Sequence, residues 1–351
     1  MNFASDNTAP VAPEILAAIA RANEGFALGY GNDAGTARVK RRFCEIFERE
    51  VEVFLVPTGT GANALAIAHL SPPWGAVMCH EEAHIAVDEC GAPEFFGGGL
   101  KLIGLPGEAG KISPETLQAA IAGGQWGGPH HVTPAVLSLS QTTEAGTVYR
   151  VEELRTLAQH AHAASMALHI DGARFANALA QMNVSPADAT WRAGVDALSF
   201  GATKGGALAA EAVVYFDPAR VAAMAERRKR GGHLISKHRF LAAQFEAYFE
   251  NGLWLTLARH ANAMAARLGQ RLAAAGMPPV WPVEANEVFV VLPQPLETKL
   301  KAAGATYYPW KTNGLPRGMS IGRDAVLIRL VTSFATGADE VERFLAIARA
   351  G

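Results

Sequence analysis

The sequence predicts an α/β protein: a three-layer major domain on a mainly parallel, mixed sheet, followed by a small C-terminal α+β domain. Three observations predict it. Short apolar runs alternate with helical segments along most of the chain, the pattern of strands joined by crossover helices. The 351 residues exceed the roughly 250–300 that one core serves, so a boundary is expected near residue 252, with 1–252 the major domain and 253–351 the smaller one. Half of the residues are hydrophobic and only 18% are charged, which excludes a disordered chain.

Taken in order, Pro13 opens a helix whose apolar face is Ile15, Ile19 and Ala22 and which Gly25 closes. Thr36 to Glu50 reads as a second helix, with Val39, Phe43 and Phe47 on one face and Lys40, Arg41 and Glu48 on the others. Val51–Val56 is a strand that ends at a glycine turn, and Ala62–Leu70 is a buried helix directly after it. A short apolar strand leads into His80. Ala135–Leu139 is a strand, Val151–Ala163 a helix and Ala167–Ile170 a strand ending at Asp171. Two strands follow, Ala197–Phe200 and Ala212–Phe216, and residues 218–252 read as helices. Strands at Val288–Leu292 and Ala325–Val331 and a helix after Gly337 supply the C-terminal domain.

Composition narrows the function. Lys and Arg number 31 against 33 Asp and Glu, so no basic face for nucleic acid is expected. Cys44, Cys79 and Cys90 form no Cys-x-x-Cys pair and no disulfide framework, which fits a reducing, cytoplasmic compartment. Residues 53–79 carry no formal charge, but Pro57, Gly59, Gly61, Pro72, Pro73 and Gly75 interrupt them too often for a membrane helix. The first residues lack the basic and apolar regions of a secretory signal. The expectation is a cytoplasmic enzyme with no nucleic-acid or membrane partner.

Three stretches carry candidate chemistry. Thr58-Gly59-Thr60-Gly61 lies between a strand and a helix, where backbone N–H groups and the helix dipole favour an anion such as phosphate. The bland reading is a tight turn that binds nothing. Neither Gly-x-Gly-x-x-Gly nor Gly-Lys-Ser/Thr occurs, so nucleotide-binding motifs are excluded. Asp171 follows a wholly apolar strand, and with Arg174 it is the only charge between Arg155 and Asp188. Such an ion is either a structural Asp–Arg pair or a carboxylate facing a cationic ring nitrogen. Lys204 is the only charge between Asp196 and Glu211, among Gly, Ala and Leu, a setting for a Schiff-base lysine rather than a solvated one. Phosphate turn, strand-end Asp and isolated Lys, in that order, are the set that pyridoxal 5'-phosphate (PLP) uses.

With these residues in place, the chain resembles the threonine aldolases, PLP enzymes of the aspartate-aminotransferase-like class (fold type I). The matches run along nearly the whole chain: Ser5-Asp6-Asn7, Tyr30-Gly31-Asn32-Asp33, Gly59-Thr60, His84 with Glu89-Cys90-Gly91-Ala92, His169 to Arg174, and Lys204. Gly201-Ala202-Thr203-Lys204 is similar to a low-specificity and phenylserine-aldolase branch. The resemblance implies a retro-aldol cleavage of β-hydroxy-α-amino acids such as L-threonine, allo-threonine or phenylserine to glycine and an aldehyde. It implies that Lys204 holds PLP, Asp171 pairs with its ring nitrogen, Gly59 and Thr60 hold its phosphate and His84 stacks on it. Ser5, Arg174 and Arg329 would bind the substrate carboxylate, with Tyr30 beside them. It also implies a homodimer or homotetramer with shared sites, and a basic residue of Arg227-Arg228-Lys229-Arg230 reaching the neighbouring site. Arg329 is the only charge of Val326 to Leu330, as a guanidinium–carboxylate fork requires.

The base that takes the β-hydroxyl proton is expected to be a histidine. His84 is the first candidate, and His130 or His131 the second. Two competing readings remain. Other PLP reactions (β-elimination, aminotransfer, hydroxymethyl transfer) use the same residues. His80-Glu81-Glu82-Ala83-His84 also matches the zinc pattern His-Glu-x-x-His, which needs both histidines on one helical face. No metal is expected.

Overall fold

The apolar runs of the sequence become the central strands of a seven-stranded sheet. The structure, a computed structural model, describes residues 1–349. In chain order the strands are β1 (Glu52–Val56), β2 (Gly75–His80), β3 (Lys101–Leu105), β4 (Thr133–Ser140), β5 (Ala167–Gly172), β6 (Ala197–Gly201) and β7 (Glu211–Tyr215). Their spatial order is β1-β7-β6-β5-β4-β2-β3. β3, β2, β4, β5 and β6 pair in parallel, and β7 runs antiparallel to both β6 and β1. The sheet is therefore mixed, and every strand except β7 ends on one common edge.

Strand alternation sorts the core into two faces. Val53 and Leu55 of β1 join a cluster with Phe43, Phe200, Phe245 and Phe249, whereas Phe54 and Val56 join Ala62, Leu65 and Val213 on the opposite face. The Phe43 ring lies 5.4 Å from Phe200, 5.4 Å from Phe245 and 5.0 Å from Phe249, edge-on to each, a favourable aromatic arrangement. Phe43 comes from the helix Ala34–Phe47, Phe245 and Phe249 from the helix Arg239–Phe249 and Phe200 from β6, and the other face is covered by the helix Gly59–Leu70. That last helix is apolar all round, which suits burial on every side. Inside the sheet, His169 bridges Ser138 and Ser199 at 2.9 Å on each ring nitrogen, and burial holds its pKa down at about 4, so it is a neutral strut.

A second sheet joins β8 (Glu287–Pro293), β9 (Tyr308–Pro309) and β10 (Ala325–Val331), all antiparallel, with β10 central. Its core combines Leu268, Leu272, Val288, Leu330 and Phe344, and Phe3 from the N-terminus packs into it. Several elements lie outside the sequence expectation, among them β3, β9 and the helices Ala92–Phe96, Pro114–Gly123, Phe175–Met182, Leu253–Ala274 and Gln294–Ala302. The helix Leu253–Ala274 packs against Phe175–Met182 and also against the C-terminal helix Ala338–Arg349. The helix after β1 begins at Gly59 rather than Ala62, because the Thr58 side chain accepts from Gly61 N–H and caps it there. Among the described residues, no helix is long and apolar enough to cross a membrane.

Candidate active site

The common edge of the sheet holds a cavity of about 320 Å³, within the size range of small-molecule sites. Each wall is a strand end or the turn after it. Thr58, Gly59 and Thr60 follow β1, His84 follows β2, Ser140 ends β4 with Thr142 and Glu144 after it, Asp171 lies at the end of β5, and Lys204 lies in the connection from β6 to β7. Gly59 opens this wall: a Cβ there would meet nothing within 4 Å. The 12-residue helix behind it directs its first N–H groups at the same place.

Asp171 is buried and fixed from two sides. It accepts from Asn63 Nδ2 at 2.9 Å and from Ala173 N–H at 3.1 Å. The same Asn63 Nδ2 donates to Glu89 Oε1 at 2.8 Å, and Glu89 Oε1 lies 2.8 Å from His84 Nδ1. The Glu89 hydrogen bond raises the His84 pKa against the opposing effect of burial. One atom each of His84, Glu89 and Asp171 lie within 4.8 Å of one another, a spacing a metal ion would accept, but Asn63 already bridges the two carboxylates.

On the other side, Arg174 donates to Asp6 through Nε at 2.7 Å and Nη2 at 3.1 Å, a buried bidentate pair. Burial disfavours the Asp6 carboxylate, yet Arg174 and Lys204 hold its pKa below the usual range. Glu144 is pushed the other way, up, by burial first and then by the charge of Glu287. Burial likewise raises Glu211 to about 7 beside Lys204. Both acids thus hold their protons to higher pH than a solvated glutamate does.

The structure brings together most of the sequence candidates and separates the rest. Gly59, Thr60, His84, Asp171, Arg174 and Lys204 all line the cavity. Ser5 does not: its hydroxyl caps the turn at Asn7, and Asn7 is the residue that reaches the wall. Arg329 does not line it either, and connects to Arg174 only through Glu287. Tyr30 is exposed outside its own chain's cavity, with Lys229 over its ring at 4.6 Å. His130 and His131 are exposed ahead of β4, at the strand end opposite Ser140, so the His131 assignment is corrected for this chain's own cavity. The competing zinc pattern lacks the helical face it needs. His80 ends β2 while His84 opens a separate short helix, so no helical face carries both, and His80 is tied to Glu82 N–H and to Gly107 O. Of the basic run, Arg228 turns inward to Leu55 O at 3.2 Å and the other three are exposed.

Asn63, Glu89, Glu144, Glu211 and Glu287 are functional candidates that the sequence reading missed. Two had a usable signal: Glu144 is the only charge between Glu115 and Arg150, and Glu287 the only one between Glu284 and Glu297.

Known proteins give a consistent picture. Residues 2–294 match the family model described as beta-eliminating lyase. A low specificity L-threonine aldolase of Pseudomonas aeruginosa is 42% identical over 318 residues, 90% of this chain and 91% of that one. The enzyme of the same name from Saccharomyces cerevisiae is 26% identical, covering 81% of this chain and 72% of its own. The structure of a Leishmania major threonine aldolase superposes with a TM-score of 0.92 at 30% identity, covering 99% of this chain and 98% of that one. A Sphingomonas wittichii serine palmitoyltransferase superposes with a TM-score of 0.71 at 14% identity over all of this chain and 86% of its own, a likeness of fold.

Proposed function

The chain belongs to the beta-eliminating lyase family and, within it, to the threonine aldolases, PLP-dependent lyases of fold type I, and on that premise we propose how its own residues perform the reaction. The single observation that carries the reading is that Lys204 and Asp171 line one cavity together with Gly59 at its helix start. The donor set fits PLP: a primary amine, a buried carboxylate held by two hydrogen bonds, and an N-terminal helix cradle with space at Gly59. When bound, PLP supplies the electron sink that accepts the Cα–Cβ bonding pair.

In this reading Lys204 Nζ holds the cofactor, and Thr58, Gly59 and Thr60 hold its phosphate. Asp171 keeps a proton on the ring nitrogen. Arg174 and Arg329 receive the substrate carboxylate. His84 Nε2, left free because Nδ1 faces Glu89, takes the β-hydroxyl proton as the aldehyde forms. The substrates are β-hydroxy-α-amino acids: L-threonine, L-allo-threonine or phenylserine. Two copies with shared sites belong to the same proposal. It is supported by Phe26, Leu28 and Tyr30, which stand exposed on one segment, with Tyr30 outside its own cavity. Cytoplasmic residence is supported by three unpaired cysteines.

The test is product identity. Threonine and phenylserine should release glycine with acetaldehyde or benzaldehyde in equal amounts. Keto acid without aldehyde would replace this reading with β-elimination or aminotransfer on the same residues.

A further inference from the structure

Glu287 begins β8, in a run where Val288, Phe289 and Val290 are all buried. An ion there costs free energy unless it is compensated, and neither of its oxygens has a hydrogen-bond partner. Its only compensation is charge. Oε2 lies 3.4 Å from Arg174 Nη1 and Oε1 lies 3.6 Å from Arg329 Nη1. The carboxylate therefore sits between the two guanidinium groups without closing a hydrogen bond to either.

The surroundings fix all three groups. Asp6 takes Nε and Nη2 of Arg174, leaving only Nη1 turned toward Glu287, and Asn286 holds Asp6 at 3.0 Å. Trp310 stacks on Arg329 at 4.3 Å from its ring centre. Gly146 lets the turn after β4 close onto Glu287, since a Cβ at Gly146 would stand 3.1 Å from the Glu287 Cβ. Nε of Arg329 is buried and has no partner. The assembly thus holds two cations side by side through one shared anion, with an N–H donor left over.

We propose that Glu287 is a positioning residue for substrate recognition: it draws Arg329 up to Arg174, so that the pair acts as one receptor for the α-carboxylate of an amino acid. Without it the guanidinium groups repel each other, and Arg329, which does not line the cavity itself, loses its ionic link to Arg174 and keeps only the stacking of Trp310. The inference rests on the assignment of Arg174 and Arg329 to the substrate carboxylate.

The experiment is a glycine titration of the PLP-loaded protein followed by visible absorption, with threonine kinetics alongside. Glu287→Gln should raise the glycine Kd and the threonine KM by about tenfold, equivalent to ~1.4 kcal/mol, while kcat stays within about threefold and PLP affinity is unchanged. Glu287→Asp, which keeps the charge, should recover most of the loss. Unchanged or tighter glycine binding in Glu287→Gln would overturn the proposal, the second outcome making Glu287 a competitor of the substrate. Equal losses in kcat, PLP affinity and glycine binding would overturn it too, as a general structural role. Should Glu287→Gln not fold, Glu287→Ala takes its place: a glycine Kd raised about tenfold with kcat and PLP affinity kept supports the receptor, and an unchanged Kd overturns it. If glycine binding weakens as expected but no β-hydroxy amino acid yields aldehyde, the receptor stands and the aldolase reading falls.

Discussion

His84 Nδ1 lies 2.8 Å from Glu89 Oε1, and this contact sets both the tautomer and the basicity of the imidazole. Glu89 is buried and receives Asn63 Nδ2 on the same oxygen, so it cannot turn away. Nδ1 carries the proton, and Nε2 is the nitrogen available to the cavity. The hydrogen bond that Nδ1–H donates to Glu89 is the largest cause of the raised His84 pKa.

Glu89→Gln should therefore move the acid side of the pH–rate profile. The base must be neutral, so rate is lost as pH falls through the His84 pKa. With that pKa raised, the loss sets in above the ordinary histidine value of about 6.5. The variant should shift it to lower pH and reduce the maximal rate by about 10- to 100-fold. A profile of kcat/KM against pH checks this, and an unmoved acid limb would exclude His84 as the base.

Glu211 makes stability depend on pH with a definite sign. Its folded pKa is raised from 4.5 to about 7, chiefly by burial, with Thr203 and Lys204 opposing and Asp171 adding to the rise. A raised folded pKa gives a contribution fully present below the unfolded value and lost as pH rises through the folded one. Between about pH 4.5 and 7 the unfolded chain ionises this group while the folded chain keeps it neutral, so stability falls. Glu211→Gln has no such fall. Melting curves should show the variant gaining on the parent from pH 5 to pH 8, by up to something on the order of 3 kcal/mol. A constant difference across that range would contradict it.

Gly201→Ala tests the seam between β6 and the turn that carries Arg174. A Cβ at Gly201 would stand 2.7 Å from both Cα and O of Ala173, backbone that has no rotamer to change. We expect about 1–3 kcal/mol of lost stability, as in other overpacked sites, and a weaker hold on PLP because Asp171 lies two residues from Ala173. Thermal denaturation with a cofactor titration reads both.

The layers of the fold were legible because each central strand announces itself as an apolar run, and β1, β5 and β6 lie within two residues of their expected positions. β3 was not: Lys101 and Gly104 break its pattern, as suits an edge strand that buries little. The helix Leu253–Ala274 was hidden by Arg259, His260, Arg267 and Arg271, which face solvent between its buried alanines and leucines. At the site, ions isolated in neutral sequence led to Asp171, Arg174 and Lys204, which line the cavity, and also to Arg329, which does not. The same rule applied to acids points to Glu144 and Glu287. Ser5 and Tyr30 show its complement, since a motif in sequence says nothing about which side of the wall a hydroxyl occupies.

The most direct measurement is the position of the bond to the cofactor. The protein loaded with PLP should absorb visible light; borohydride should bleach that band and leave the reduced cofactor on a single peptide, attached to Lys204. Lys204→Ala should show neither the band nor turnover. A reduced cofactor on any other lysine, or aldehyde release that survives in Lys204→Ala, would contradict the account.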